Sequence, residues 1–81
     1  MDMELKTGQK VVAAGGEKLG TVKEVVEGTD LTYFRVGVTL RPDYWLGSNW
    51  VRSIERQDGE EHVMLDFQRD LLSSYKLPAP A

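Results

Sequence analysis

Leu31-Thr32-Tyr33-Phe34-Arg35-Val36-Gly37-Val38-Thr39-Leu40 is the stretch on which the fold turns. Phe34, Val36, Val38 and Leu40 alternate with Tyr33, Arg35, Gly37 and Thr39. Strict alternation of β-branched and aromatic residues with polar ones describes a half-buried strand. Gly37, on the outward face, points to a close approach or a sharp bend. Gly28-Thr29-Asp30 is a turn before this strand, and Arg41-Pro42-Asp43 is expected to break it. Upstream, Leu19 to Glu27 reads as a strand with a bulge. Val22 and Val26 are expected on one face, with Thr21, Lys23 and Val25 on the other. Leu19, Val22, Val25 and Val26 also fit helical spacing, but the Val and Thr content and the flanking glycines favour strand. Lys10 to Ala14 is a first short strand, closed by the polar turn Gly15-Gly16-Glu17-Lys18.

Downstream comes the aromatic segment Tyr44-Trp45-Leu46-Gly47-Ser48-Asn49-Trp50. Val51 to Gln57 and His62 to Phe67 form two more strands around the turn Asp58-Gly59. From Gln68 the period lengthens. Phe67, Leu71, Leu72 and Tyr75 make one apolar stripe, so a short helix is expected there, and a lone helix must dock on the sheet. Pro78-Ala79-Pro80-Ala81 cannot continue it. The sum is an all-β domain: a small β-barrel of five to six short strands with a short C-terminal helix, over residues 1–76. A flexible tail is expected over 77–81.

Several function classes drop out on composition. The chain has 81 residues, a net charge of −3, no Cys and one His. Disulfide scaffolds, thiol chemistry and Cys-based zinc sites are excluded. Residues 1–40 hold five bases and six acids, and residues 41–81 hold five bases and seven acids. Neither half is a basic arm, so nucleic acid is not the expected partner, although folding can still gather a few Arg residues on one face. No stretch reaches the roughly 18 apolar residues of a membrane span, so membrane insertion is not expected. The start, Met1-Asp2-Met3-Glu4-Leu5-Lys6, has no apolar run of a signal peptide, and a cytoplasmic location is expected.

The ordered segments resemble a known family. Leu5-Lys6-Thr7-Gly8-Gln9-Lys10-Val11 is followed by Gly16-Glu17-Lys18-Leu19-Gly20-Thr21-Val22-Lys23-Glu24-Val25. Then come Tyr44-Trp45-Leu46, Trp50-Val51, Ile54 and Val63-Met64-Leu65. Together they resemble the PRC-barrel, over about residues 5–67. The fold is that of the cytoplasmic domain of the photosynthetic reaction-centre H subunit. The chain is also similar to the C-terminal domain of the ribosome maturation factor RimM. Relatives often carry Pro where Leu46-Gly47 stands here. The resemblance implies a β-barrel interaction module without catalytic residues. Through RimM it also implies an alternative, an RNA-processing or ribosome-associated factor.

The residues themselves show no catalytic constellation, and no cofactor follows from them. His62 is expected on the solvent face of its strand, and a general base needs an orienting partner and a pocket. Asp58, Glu60 and Glu61, near Glu55, serve solubility and turn formation, with a cation or small-molecule site as the rival reading. Gly15, Gly16 and Gly20 precede β-like sequence, which fits a hairpin and no phosphate loop. No Ser sits in a nucleophile elbow. A core this small leaves no space for an enclosed pocket.

The aromatics carry the most information. Tyr44, Trp45 and Trp50 either pack within the monomer or anchor a partner, since Trp, Tyr and Arg dominate interface hot spots. Alternation places Tyr44 and Leu46 on one side and Trp45 on the other, so both sides cannot face one small core. Arg41 and Arg52 flank the segment. Leu72 and Tyr75 close the barrel end or pack across a homodimer. The expected protein interface is therefore Arg41, Tyr44, Trp45, Trp50, Arg52, Leu72 and Tyr75. The partner is another protein or a second copy of the chain, making a homo-oligomer.

Overall fold

In the computed structural model, which describes residues 4–80, six strands form one sheet in the order β4-β3-β2-β1-β6-β5. The reading of residues 1–3 as part of a leaderless start and of Ala81 as tail lies outside the described residues. The strands are β1 (Lys10–Val12), β2 (Lys18–Glu27), β3 (Thr32–Val38), β4 (Arg41–Gly47), β5 (Val51–Gln57) and β6 (Glu60–Leu65). Four pairs of strands adjacent in the sequence are antiparallel, β1 with β2, β2 with β3, β3 with β4 and β5 with β6; the fifth ladder is the exception, β1 pairing parallel with β6, Val11 opposite Val63. No residue pattern near Val11 announces that partner.

One face of the sheet supplies the core, and ladder partners match on it. Val22 lies opposite Val36, Val25 opposite Phe34, and Phe34 opposite Leu46. Val51 lies opposite Leu65 and Ile54 opposite Val63. Val11, Phe34, Val36, Leu46, Val63 and Leu65 are fully buried. Each such side chain stabilises the fold by roughly 1.5–3 kcal/mol. A sheet with one apolar face must curl to cover it, and four register shifts bend these strands. They fall at Leu19 and Lys23 in β2, at Pro42-Asp43 in β4 and at Arg52 in β5. The edges β4 and β5 are consecutive in the chain, joined by the 3-10 turn Ser48–Trp50. That turn is tied across the barrel, since Asp66 N donates to Trp50 O at 2.9 Å and Thr32 N donates to Ser48 Oγ at 3.2 Å.

The bulges correct part of the expected facing. Lys23 is the extra residue of β2, so the residue that joins Val22 at the core is Val25, and Val26 turns away. A one-residue insertion exchanges the two faces of everything beyond it. Lys23 lies over Gly37, where a Cβ would meet its Cγ and Cε at 2.7 Å. The close approach expected at Gly37 is thus a lysine stem.

A second correction concerns Leu40. Alternation placed it inward, but β3 ends at Val38, and Thr39-Leu40 form the two-residue turn to Arg41. Leu40 sits at φ 64 and is 98% exposed. Accordingly, Arg41-Pro42-Asp43 does not break the chain but starts β4, an edge strand where Pro42 occupies a bulge and needs no ladder donor. At Asp58-Gly59 both central residues have positive φ, 51 and 82, as a type I′ hairpin requires.

Glu61 departs from the expected solvent-facing acid. Buried Gln9 donates from Nε2 to Glu61 Oε1 and to Glu4 O, both at 2.8 Å, and accepts from Lys6 N at 2.9 Å. The Gln9 amide is fully used, which is the condition for burying it. Its hydrogen bond, helped by Lys6 and Arg56, holds the Glu61 carboxyl below the ordinary glutamate value. The clasp fastens the N-terminal segment to β6.

Candidate functional site

After Phe67 the chain makes a 3-10 turn, Arg69–Leu71, and then a one-turn helix α1, Leu72–Tyr75. So short a helix has no stability of its own, and packing must hold it. Tyr75 provides that hold. Its ring stacks on Phe67 at 4.4 Å between centroids with planes 15° apart. It also meets Trp50 edge-on at 4.5 Å and 62°. Leu77 N then donates to Trp45 O at 2.9 Å, so the first residue of the expected tail is pinned to β4. Leu71, expected on the apolar stripe, is 47% exposed instead, because the 3-10 turn rotates it out of line with Leu72.

The docked segment leaves a groove of about 640 Å³ between itself and the starts of β2 and β4. Leu19, Val38, Tyr44 and Leu72 line it as apolar surface, and Lys18, Arg41, Arg69 and Lys76 stand around them. Its only lining carboxylate among the described residues is Asp43, which is committed to Arg35. None of the four cations lies within ion-pair distance of a described carboxylate. The groove lies outside the core, so a core with no spare space is no obstacle to it.

Tyr44 is the hinge of this site. Its hydroxyl donates to Leu19 O at a long 3.4 Å, and Lys76 Nζ lies 4.9 Å from its ring centroid. Burial pushes its phenol from 10.0 up to about 12. The neutral phenol is the form the fold favours. Its contribution to stability is therefore intact below pH 10.0 and falls away as pH rises through about 12. A spectrophotometric titration of the folded protein is expected to show a phenolate step near 12 that Tyr44→Phe removes. A Tyr44→Phe protein with an unchanged titration would refute this placement of the ring.

The structure brings Arg41, Tyr44 and Leu72 together in the groove. It sets Trp50 and Tyr75 in the aromatic cap beside it. Trp45 is half-buried on the opposite face of β4 from Leu46, as alternation implied, and its backbone holds Leu77. Arg52 is separate from these, exposed at the β5 bulge. Lys18, Arg69 and Lys76 were not foreseen from the sequence. Their neighbours include Glu17 and Asp70, so no local run of positive charge marks them.

His62 is half-buried, with Nε2 3.6 Å from Glu60 Oε2, and it does not line the groove. Among the described residues no group of three acidic, His or Cys side chains could hold a metal ion. Among them, too, no helix is long and apolar enough to cross a membrane.

Compared with known families, residues 7–77 match the sequence profile described as the PRC-barrel domain. No curated protein and no solved structure matches the chain.

Proposed function

Because the chain belongs to the PRC-barrel domain family, whose members are generally non-catalytic, we propose that it is an adaptor: a protein-interaction module working through the groove beside its C-terminal segment. The observation that carries this is the groove itself. Its apolar lining is half-covered Tyr44, Leu72 and Val38 with buried Leu19, and exposed Arg41 stands at its rim. Partly open apolar surface framed by Arg and Tyr has the composition of an interface hot spot. His62, the one imidazole, has no place in it.

A second copy of the chain is the other occupant that one observation favours. Leu40, 98% exposed at a hairpin tip two residues from Val38, offers an apolar knob beside the groove. Pairing between sheet edges is disfavoured, because bulges at Pro42-Asp43 and Arg52 interrupt both edge strands and Leu77 already occupies part of β4. Light scattering at high concentration separates the two forms, since a strict monomer leaves only the heterologous one.

The test is calorimetry on a purified partner recovered with the tagged protein. Arg41→Glu and Leu72→Asn are each expected to weaken binding by about tenfold or more. Arg56→Glu, on β5 and outside the groove, is expected to leave it unchanged. Binding insensitive to both groove variants would refute the proposal.

A further inference from the structure

The interaction reading says where a partner docks, and the electrostatics of the groove say what kind. Four of the ten Lys and Arg residues of a chain with net charge −3 ring one concavity. They arrive from three separate places: Lys18 from the start of β2, Arg41 from the start of β4, and Arg69 and Lys76 from the C-terminal segment. The fold therefore assembles a positive rim that no part of the sequence contains. The neighbouring negative charge is withdrawn from it. Asp43 is turned to Arg35, whose Nε also donates to Glu24 Oε1 at 3.2 Å. Between the cations lies an apolar surface, including the ring of Tyr44 under Lys76.

Resting on the interaction reading, we propose that the groove receives an acidic peptide segment that lays one apolar side chain against Tyr44 and Leu72 and places carboxylates against Lys18, Arg41, Arg69 and Lys76. Both parts of that ligand are needed. A purely apolar segment would leave four cations partly desolvated and unpaired, which opposes binding. A polyanion without apolar groups would leave the lining uncovered. Partners of this charge are drawn in faster at low salt, because opposite potentials steer encounter. Lys18, Arg69 and Lys76 are then recognition residues alongside Arg41 and Tyr44.

The test uses four probes on the full chain, followed by amide NMR shifts. One is a synthetic eight-residue peptide with two central leucines flanked by glutamates. The second has lysines in place of the glutamates, and the third has serines in place of the leucines. The fourth is a uridine oligoribonucleotide. The first probe is expected to shift amides in 18–19, 41–44 and 69–76. Its affinity is expected to fall about tenfold as salt rises from 0.1 to 1 M and screening shortens. The lysine and serine peptides are expected to shift nothing at millimolar concentration. Arg69→Glu with Lys76→Glu, at two exposed positions, is expected to abolish binding while the melting temperature stays within a few degrees; Lys18→Glu provides a second variant whose site is independent of the C-terminal segment.

Equal binding of acidic and lysine peptides in the groove would overturn the charge assignment and leave the interaction reading standing. Oligoribonucleotide binding there with no acidic-peptide binding would overturn the peptide assignment in favour of a nucleic acid. Acidic-peptide shifts confined to β5 and β6 would overturn the site. Failure of the interaction reading itself has a different signature, a natural partner indifferent to Arg41→Glu and Leu72→Asn.

Discussion

Gly20→Ala is expected to lower the melting temperature by roughly 15–30 °C, the largest effect of any single methyl group in this protein. Gly20 lies in β2 at φ 153, in a region that side chains rarely adopt. A Cβ there would fall 2.5 Å from Gly37 O and 2.8 Å from Val36 Cγ1. The first of those neighbours is backbone of β3, held in the ladder opposite Thr21, and cannot swing aside. The conformational strain costs about 1–3 kcal/mol, and forced overpacking a further 1–3 kcal/mol. An 81-residue domain has only about 4–12 kcal/mol in total. Thermal unfolding followed by circular dichroism reads the result. A shift under 5 °C would mean that β2 and β3 are not so close at this point.

Tyr75→Ala is expected to cost about 2–3 kcal/mol, and its consequences reach the groove. The ring makes two aromatic pairs, each contributing about 0.5–1.5 kcal/mol beyond its buried area. Without it, Phe67, now 3% exposed, opens to solvent. The single turn of α1 then has no anchor of its own, and the Leu77 bond to Trp45 must be made from a freer chain. Arg69, Leu72 and Lys76 ride on that segment. Tyr75→Ala should therefore lose stability in urea and groove binding together. Tyr75→Phe, which keeps the ring, should retain both. A Tyr75→Ala protein with wild-type urea midpoint would show that the cap does not hold the segment.

The strands were legible because one sheet face is apolar and the other is not. Phe34, Val36, Val63 and Leu65 alternate as half-buried strands must, and Gly15-Gly16 and Asp58-Gly59 mark turns by their backbone freedom. Periodicity carries no information on where a chain reverses, so Leu40 continued the pattern of Phe34 and Val36 into a turn. Nor does it locate a bulge, so Val26 and Val25 exchanged places. The parallel pairing of β1 with β6 joins residues about fifty positions apart and leaves no local trace.

The candidate site was legible by halves. Tyr44, Leu72 and Arg41 stood out by type, while alternation correctly separated Trp45 from Tyr44. Trp50 and Tyr75 were recognisable as aromatic but not as partners of each other, since their contact depends on how the C-terminal segment docks. The positive rim was invisible. Lys18, Arg41, Arg69 and Lys76 are scattered over nearly sixty residues, the first three each with an acid one or two positions away in the chain and Lys76 alone among uncharged residues. Only the curl of the sheet brings the starts of β2 and β4 to the same end as the helix turn.

The central claim is that this groove is the working surface of the protein. The most direct measurement is an amide shift map of the labelled protein titrated with its purified natural partner. The account predicts changes in 18–19, 41–44 and 69–76, with the acidic hairpin 55–61 unmoved. Changes confined to that hairpin and β5, with the groove silent, would contradict it.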